Sequence, residues 1–138
     1  MEFKKVDVKT LDMKPFEKIG SEWMLISAAK DGKANTMTAS WGGIGVLWGK
    51  NVATVYIRPQ RHTKEFVDAG DTFTISFFGG EHMKELGYLG KVSGKDVPDK
   101  IEQSGLHLTE VDGQPGFEEA TQVLVLSLIH ISEPTRLQ

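Results

Sequence analysis

Two short stretches alternate side-chain character residue by residue, and a period of two confines them to strands. Residues 36–41 run Thr, Met, Thr, Ala, Ser, Trp. As a strand they place Thr36, Thr38 and Ser40 on one face and Met37, Ala39 and Trp41 on the other. Residues 72–77 are cleaner, with Phe73, Ile75 and Phe77 opposed to Thr72, Thr74 and Ser76. Residues 23–29 form an apolar run of strand length, residues 52–58 are rich in β-formers, residues 106–111 and 121–125 return to strand character, and residues 2–8 read as an edge strand. Helical spacing is confined to short pieces. These are a turn at 15–19 closed by Gly20, a helix over 64–69 with Thr63 as N-cap, residues 81–91 with Met83, Leu86 and Leu89 in step, and a turn opened by Asp96 and Pro98 and closed by Gly105. Asp31-Gly32 and residues 49–51 mark turns. The sum predicts a mainly β fold with short helices, a Greek-key barrel rather than a parallel sheet.

The 138 residues fit one domain with one core, and 25% charged with 39% hydrophobic residues is the balance of a globular protein. A net charge of −3 argues against nonspecific nucleic-acid binding, which needs a basic face. Without cysteine there is no disulfide, thiolate zinc site, iron–sulfur cluster or thiol nucleophile. No apolar run reaches the ~20 residues of a membrane span. The first ten residues carry charges without an apolar core, which is not a signal peptide, so a cytoplasmic protein is expected.

Residues 35–78 hold the chemistry. Arg58 and Arg61 flank a corner stiffened by Pro59, and Thr63 at a helix start adds a hydroxyl and free N–H groups; together they suit a phosphate. Asn35 offers a donor and an acceptor to the edge of a heteroaromatic ring, and Trp41 offers an apolar wall. Each has an ordinary reading as well, a solvated capped turn and a core tryptophan beside Gly42-Gly43. Two glycine motifs fail. Gly43-Ile44-Gly45 has Trp48 where a dinucleotide fingerprint needs glycine, and residues 90–95 are one short of a phosphate loop, with Asp96 at the magnesium-holding position. His82 and Glu85 share a helix face but do not make a metal site; His62 and His107 show no partners, and Glu118-Glu119 read as a solvated pair.

Residues 35–41, the run Arg58-Pro59-Gln60-Arg61-His62-Thr63, Ser76-Phe77-Phe78 and Gly87-Tyr88-Leu89-Gly90-Lys91 together resemble the flavin reductase-like, FMN-binding split-barrel family, in particular its small flavoredoxin-type members. The resemblance covers residues 1–125. It implies a Greek-key split β-barrel, a homodimer with FMN near the subunit interface, and hydride transfer from NADH or NADPH to flavin and on to an acceptor. The alternative it leaves open is an FMN electron carrier reduced by a partner protein; a split-barrel binding protein without redox work is a third reading. By position, Asn35, Thr36, Met37, Thr38, Ala39, Ser40 and Trp41 would run along the flavin. Arg58, Pro59, Arg61 and Thr63 would lie at its phosphate and ribityl end, Ser76, Phe77 and Phe78 would line the pocket, and Lys91 would reach the cofactor. No side-chain nucleophile or metal is expected. Residues 48–51 replace a proline-rich turn common in relatives.

Residues 126–136 match the translation of a transposase-type sequencing adapter, so residues 126–138 are expected to be an artefact. On that expectation the domain is partial. The final strands, with a histidine and an aromatic that often approach FMN in relatives, would be missing.

Overall fold

A computed structural model describes residues 3–129. Its centre is a four-stranded antiparallel sheet in the order β2-β1-β5-β8, made of β1 (Met24–Lys30), β2 (Lys33–Ala39), β5 (Thr72–Phe77) and β8 (Gln122–Ser127). Two hairpins flank it: β3 (Gly42–Leu47) with β4 (Lys50–Val55), and β6 (Leu108–Val111) with β7 (Gln114–Phe117). Four short helices complete the chain: α1 (Pro15–Gly20), α2 (His62–Asp68), α3 (Met83–Lys91) and α4 (Lys100–Ser104).

Strand alternation divides the apolar side chains into two cores. Met24, Ile26, Ala28, Met37, Ala39, Phe73, Ile75 and Phe77 form one with Phe66 and Val67 of α2, and Ala53, Val55 and Ile57 lie against it. On the other face Leu25 and Phe78 join Leu86 and Leu89 of α3, Ile101 of α4 and Phe117 of β7. This second face also carries the hydroxyls of Ser27, Thr36, Thr74 and Ser76, all fully buried. Burial demands partners. Ser27 and Thr36 bond each other at 2.8 Å, and Thr74 donates to the Pro115 carbonyl at 2.7 Å. Ser76 Oγ finds none.

All three tight hairpins turn through two residues of positive φ: Asp31-Gly32, Trp48-Gly49 and Asp112-Gly113. This is the type I′ geometry whose twist matches that of the strands it joins. Aspartate tolerates the left-handed region and glycine favours it, whereas tryptophan at φ 54° does not.

The structure differs from the sequence expectations at several elements. Residues 3–7 form no strand, and Val8–Thr10 is a 3-10 turn in which Asp7 accepts from Lys9 N at 2.9 Å. That local bond competes with a ladder. Strand β3 follows Trp41 directly, in a segment to which the sequence pattern assigned no strand. Gly42 is needed there because a Cβ would fall on the Thr54 carbonyl. Strand β7 was hidden by Pro115, a residue that argues against strands yet is tolerated in a two-stranded ribbon. Helix α2 begins at His62, so Arg61 is its N-cap residue and Thr63 lies inside it, 1% exposed. Strand β8 continues through Leu126 and Ser127, which pair with Phe73 and Thr72. The rest of the expected artefact, residues 130–138, lies outside the described residues.

The Trp48 conformation is testable. Trp48→Asn restores an Asn-Gly turn and should raise the urea midpoint by about 1 kcal/mol of stability. A lower midpoint would show that the exposed indole contributes more than its backbone costs.

Candidate functional site

Strand β2 is an edge of the central sheet, with β1 on one side only. An edge strand leaves a row of backbone N–H and C=O groups without ladder partners. Here the strand is held from both ends by its flanking helices. Thr38 donates its hydroxyl to the Leu86 carbonyl of α3 at 2.5 Å, and Asn35 Nδ2 donates to Thr63 Oγ1 of α2 at 2.7 Å. Two glycines permit this closeness. A Cβ at Gly90 would stand 3.1 Å from Thr38 Cβ, and one at Gly94 would fall on the Asn35 amide.

Two cavities follow the strand and share Arg58 and Arg61. The first, about 150 Å³, is lined by residues 37–41 together with Tyr56 and the two arginines. The second, about 220 Å³, is lined by Arg58, Arg61, Lys91 and Lys100, by Asn35, Gln60, His62 and Thr63, and by residues 90–94. Both fall below the ~300–1,000 Å³ of enclosed small-ligand sites and mark open recesses along the strand. Their chemistry differs. The first offers the indole of Trp41, the phenol of Tyr56 and the strand itself. The second gathers four cationic side chains and no carboxylate, a donor set suited to a phosphate and unsuited to a metal ion.

Of the four cations Lys100 is the most buried. It is 2% exposed, and its Nζ donates to the Leu89 carbonyl at 3.1 Å and the Val92 carbonyl at 2.7 Å, closing the end of α3. Burial, and then the neighbouring Arg61, push its ammonium down to about 8. Burial, and then Arg58, also lower the Arg61 guanidinium, which keeps its proton all the same.

Ten of the fifteen residues singled out in the sequence line this groove: Asn35, Met37, Thr38, Ala39, Ser40, Trp41, Arg58, Arg61, Thr63 and Lys91. Five do not. Thr36 points its hydroxyl at Ser27, Pro59 is on the exposed corner, and Ser76, Phe77 and Phe78 are buried at 0–1% exposure in the two cores. Asn35 lies at the cationic end, bonded to Thr63, whereas Trp41 lines the first cavity. Of residues 90–95, rejected as a phosphate loop by spacing, residues 90–94 do border the cationic cavity. Sequence reasoning missed Tyr56, Gln60, Ser93 and Lys100. The only signal for Lys100 was its place at the start of a helix two residues after Pro98, where burial is invisible. Among the described residues three histidines each meet a glutamate, His62 with Glu65, His82 with Glu85 and His107 with Glu119. Among the described residues no group of three or more His, Cys, Asp or Glu could hold a metal, and no helix is long and apolar enough to cross a membrane.

No known protein-family profile matches the chain. An uncharacterized protein of Aeropyrum pernix is 27% identical over 112 residues, which are 80% of this chain and 42% of that protein. Among solved structures, an FMN-binding domain of a flavin reductases-like enzyme from Shewanella baltica superposes with a TM-score of 0.75 at 24% identity, covering 84% of this chain and 61% of the other. The flavoredoxin of Desulfovibrio vulgaris superposes at 0.73 with 23% identity, covering 94% and 69%. An FMN-binding protein from Thermus thermophilus with bound 1-cyclohex-2-enone superposes at 0.70 with 20% identity, covering 98% and 72%. The chain thus spans less than half of its curated relative and about three-fifths of the Shewanella domain. It has the fold of these proteins, a mainly β split barrel with short helices, as the resemblance implied.

Two results are expected. Gly94→Ala should destabilise the protein by roughly 1–3 kcal/mol, because the new methyl displaces the Asn35 amide; an unchanged melting temperature would contradict this packing. The second concerns pH. A lysine whose folded pKa lies below its unfolded value makes the folded state shed its proton first, so its contribution to stability rises with pH between about 8 and ~10.4. Denaturant midpoints of wild type should therefore rise over that window relative to Lys100→Arg, which does not titrate there. Parallel curves would mean that Lys100 is not buried as described.

Proposed function

We propose that the chain binds FMN along β2 and is a flavin reductase-type oxidoreductase, passing electrons from NADH or NADPH by way of the flavin to an acceptor. The observation that carries the proposal is the pair of joined cavities: an edge strand with aromatic neighbours at one end and four cations without a carboxylate at the other. FMN, when bound, supplies the redox chemistry. The chain's own residues bind and orient. Arg58, Arg61 and Lys91 hold the phosphate, Arg through planar pairs of N–H donors and Lys as a point charge. The outward backbone groups of residues 37–40 address the polar edge of the ring, and Trp41 and Tyr56 offer it apolar surface. Asn35 and Thr63, bonded to each other, fix the strand against α2 at the cationic end.

Trp41 and Tyr56, which line the first cavity at the base of the β3–β4 hairpin, and Val46 and Trp48 toward its tip are 59–72% exposed. Such a patch marks an interaction surface, and we assign it to a second copy of the chain in a homodimer. The carrier reading, in which a partner protein replaces the nicotinamide, is kept because a flavoredoxin shares the fold.

Titration of the apoprotein with FMN should quench flavin fluorescence saturably, and riboflavin, which lacks the phosphate, should bind at least about tenfold more weakly if phosphate contacts contribute even ~1.4 kcal/mol. Anaerobic bleaching by NADH or NADPH alone supports the reductase, and bleaching only with an added reductase supports the carrier. Absence of FMN binding would refute both.

A further inference from the structure

Resting on the FMN reading, we propose that Lys100 is the floor of the phosphate subsite and sets the preference for a phosphorylated flavin over the free riboflavin. A lysine is almost never fully buried unless its charge is paired. Lys100 is 2% exposed, yet among the described residues no carboxylate lies within ion-pair distance of it. Its nearest charged influence is Arg61, another cation. Two of its three N–H donors are taken by the Leu89 and Val92 carbonyls. The third remains, and the side chain lines the cavity that Arg58, Arg61 and Lys91 also line. Carbonyl dipoles at a helix end ease the burial of an ammonium but do not neutralise it. The cavity lining carries four cations and no carboxylate, which a dianionic phosphate complements. Burial, and then Arg61, lower the affinity of Lys100 for its proton, and a bound phosphate would raise it again.

The same contacts give Lys100 a positioning role. By bonding the last carbonyls of α3 it fixes the loop of residues 90–94, whose Gly94 covers the Asn35 amide. Anion binding would pull on a cation that is already tied to that loop, so the phosphate would order the segment that encloses it.

The test compares two ligands on one protein. Lys100→Met keeps the stem and removes the charge. Its affinity for FMN should fall roughly 10- to 100-fold, the usual weight of a charge-assisted hydrogen bond, while riboflavin binding changes less than about threefold. A purely structural role would weaken both equally and would overturn the proposal, as would unchanged FMN affinity. If wild type itself fails to prefer FMN, the FMN reading falls first, and the two failures are told apart. Should Lys100→Met not fold, the wild-type protein with 15N-labelled lysine decides. The Lys100 Nζ resonance should shift with FMN and with inorganic phosphate but not with riboflavin, and a shift that does not distinguish them would overturn the assignment.

Discussion

An edge strand that is nonetheless buried is the constraint on which the rest of the structure depends. β2 pairs with β1 alone, so its outer row of peptide groups must face something other than sheet. Two side-chain bonds, Asn35 to Thr63 and Thr38 to Leu86, hold it between α2 and α3 while leaving a groove along its length. Thr38 can reach α3 only because Gly90 brings the helix close, and Asn35 keeps its orientation only because Gly94 has no side chain. A stable edge without a strand partner is a frame on which a flat ligand with hydrogen-bonding edges can lie.

Electrostatics then gives the groove a direction. At its far end Arg58, Arg61, Lys91 and Lys100 converge without a carboxylate, although the chain as a whole carries a net charge of −3. The carboxylates nearby in sequence are turned outward: Glu65 meets His62, and Asp68 meets Lys64 at 2.5 Å, both on exposed positions of α2. Burying and concentrating cations in this way is unfavourable: burial first, and then the neighbouring arginine, lower the proton affinities of Arg61 and Lys100. Binding sites commonly carry such a local cost.

Much of this was legible in the sequence, and the exceptions have physical reasons. The period of two at residues 72–77 and the Asp-Gly turn at residues 31–32 report local geometry, and both strands and turn stand where expected. Arg58 and Arg61 were singled out by the chemistry of their residue type and Lys91 by the family resemblance, and all three line the cationic cavity. Alternation cannot say which face of a doubly covered sheet meets a ligand, so Thr36 and Ser76 were read as cofactor-facing, whereas both lie beneath α3 and the β6–β7 hairpin. Thr63 looks like a cap because threonines often are, but its hydroxyl accepts from a residue 28 positions away, which no local pattern encodes. Lys100 reads as a surface lysine; only tertiary packing puts an ammonium under the groove.

The most direct measurement is a crystal structure of the chain with FMN. The account requires the phosphate to sit among Arg58, Arg61, Lys91 and Lys100, with the ring extended along residues 37–41 toward Trp41. A phosphate bound elsewhere, or a flavin lying off the β2 edge, would contradict it.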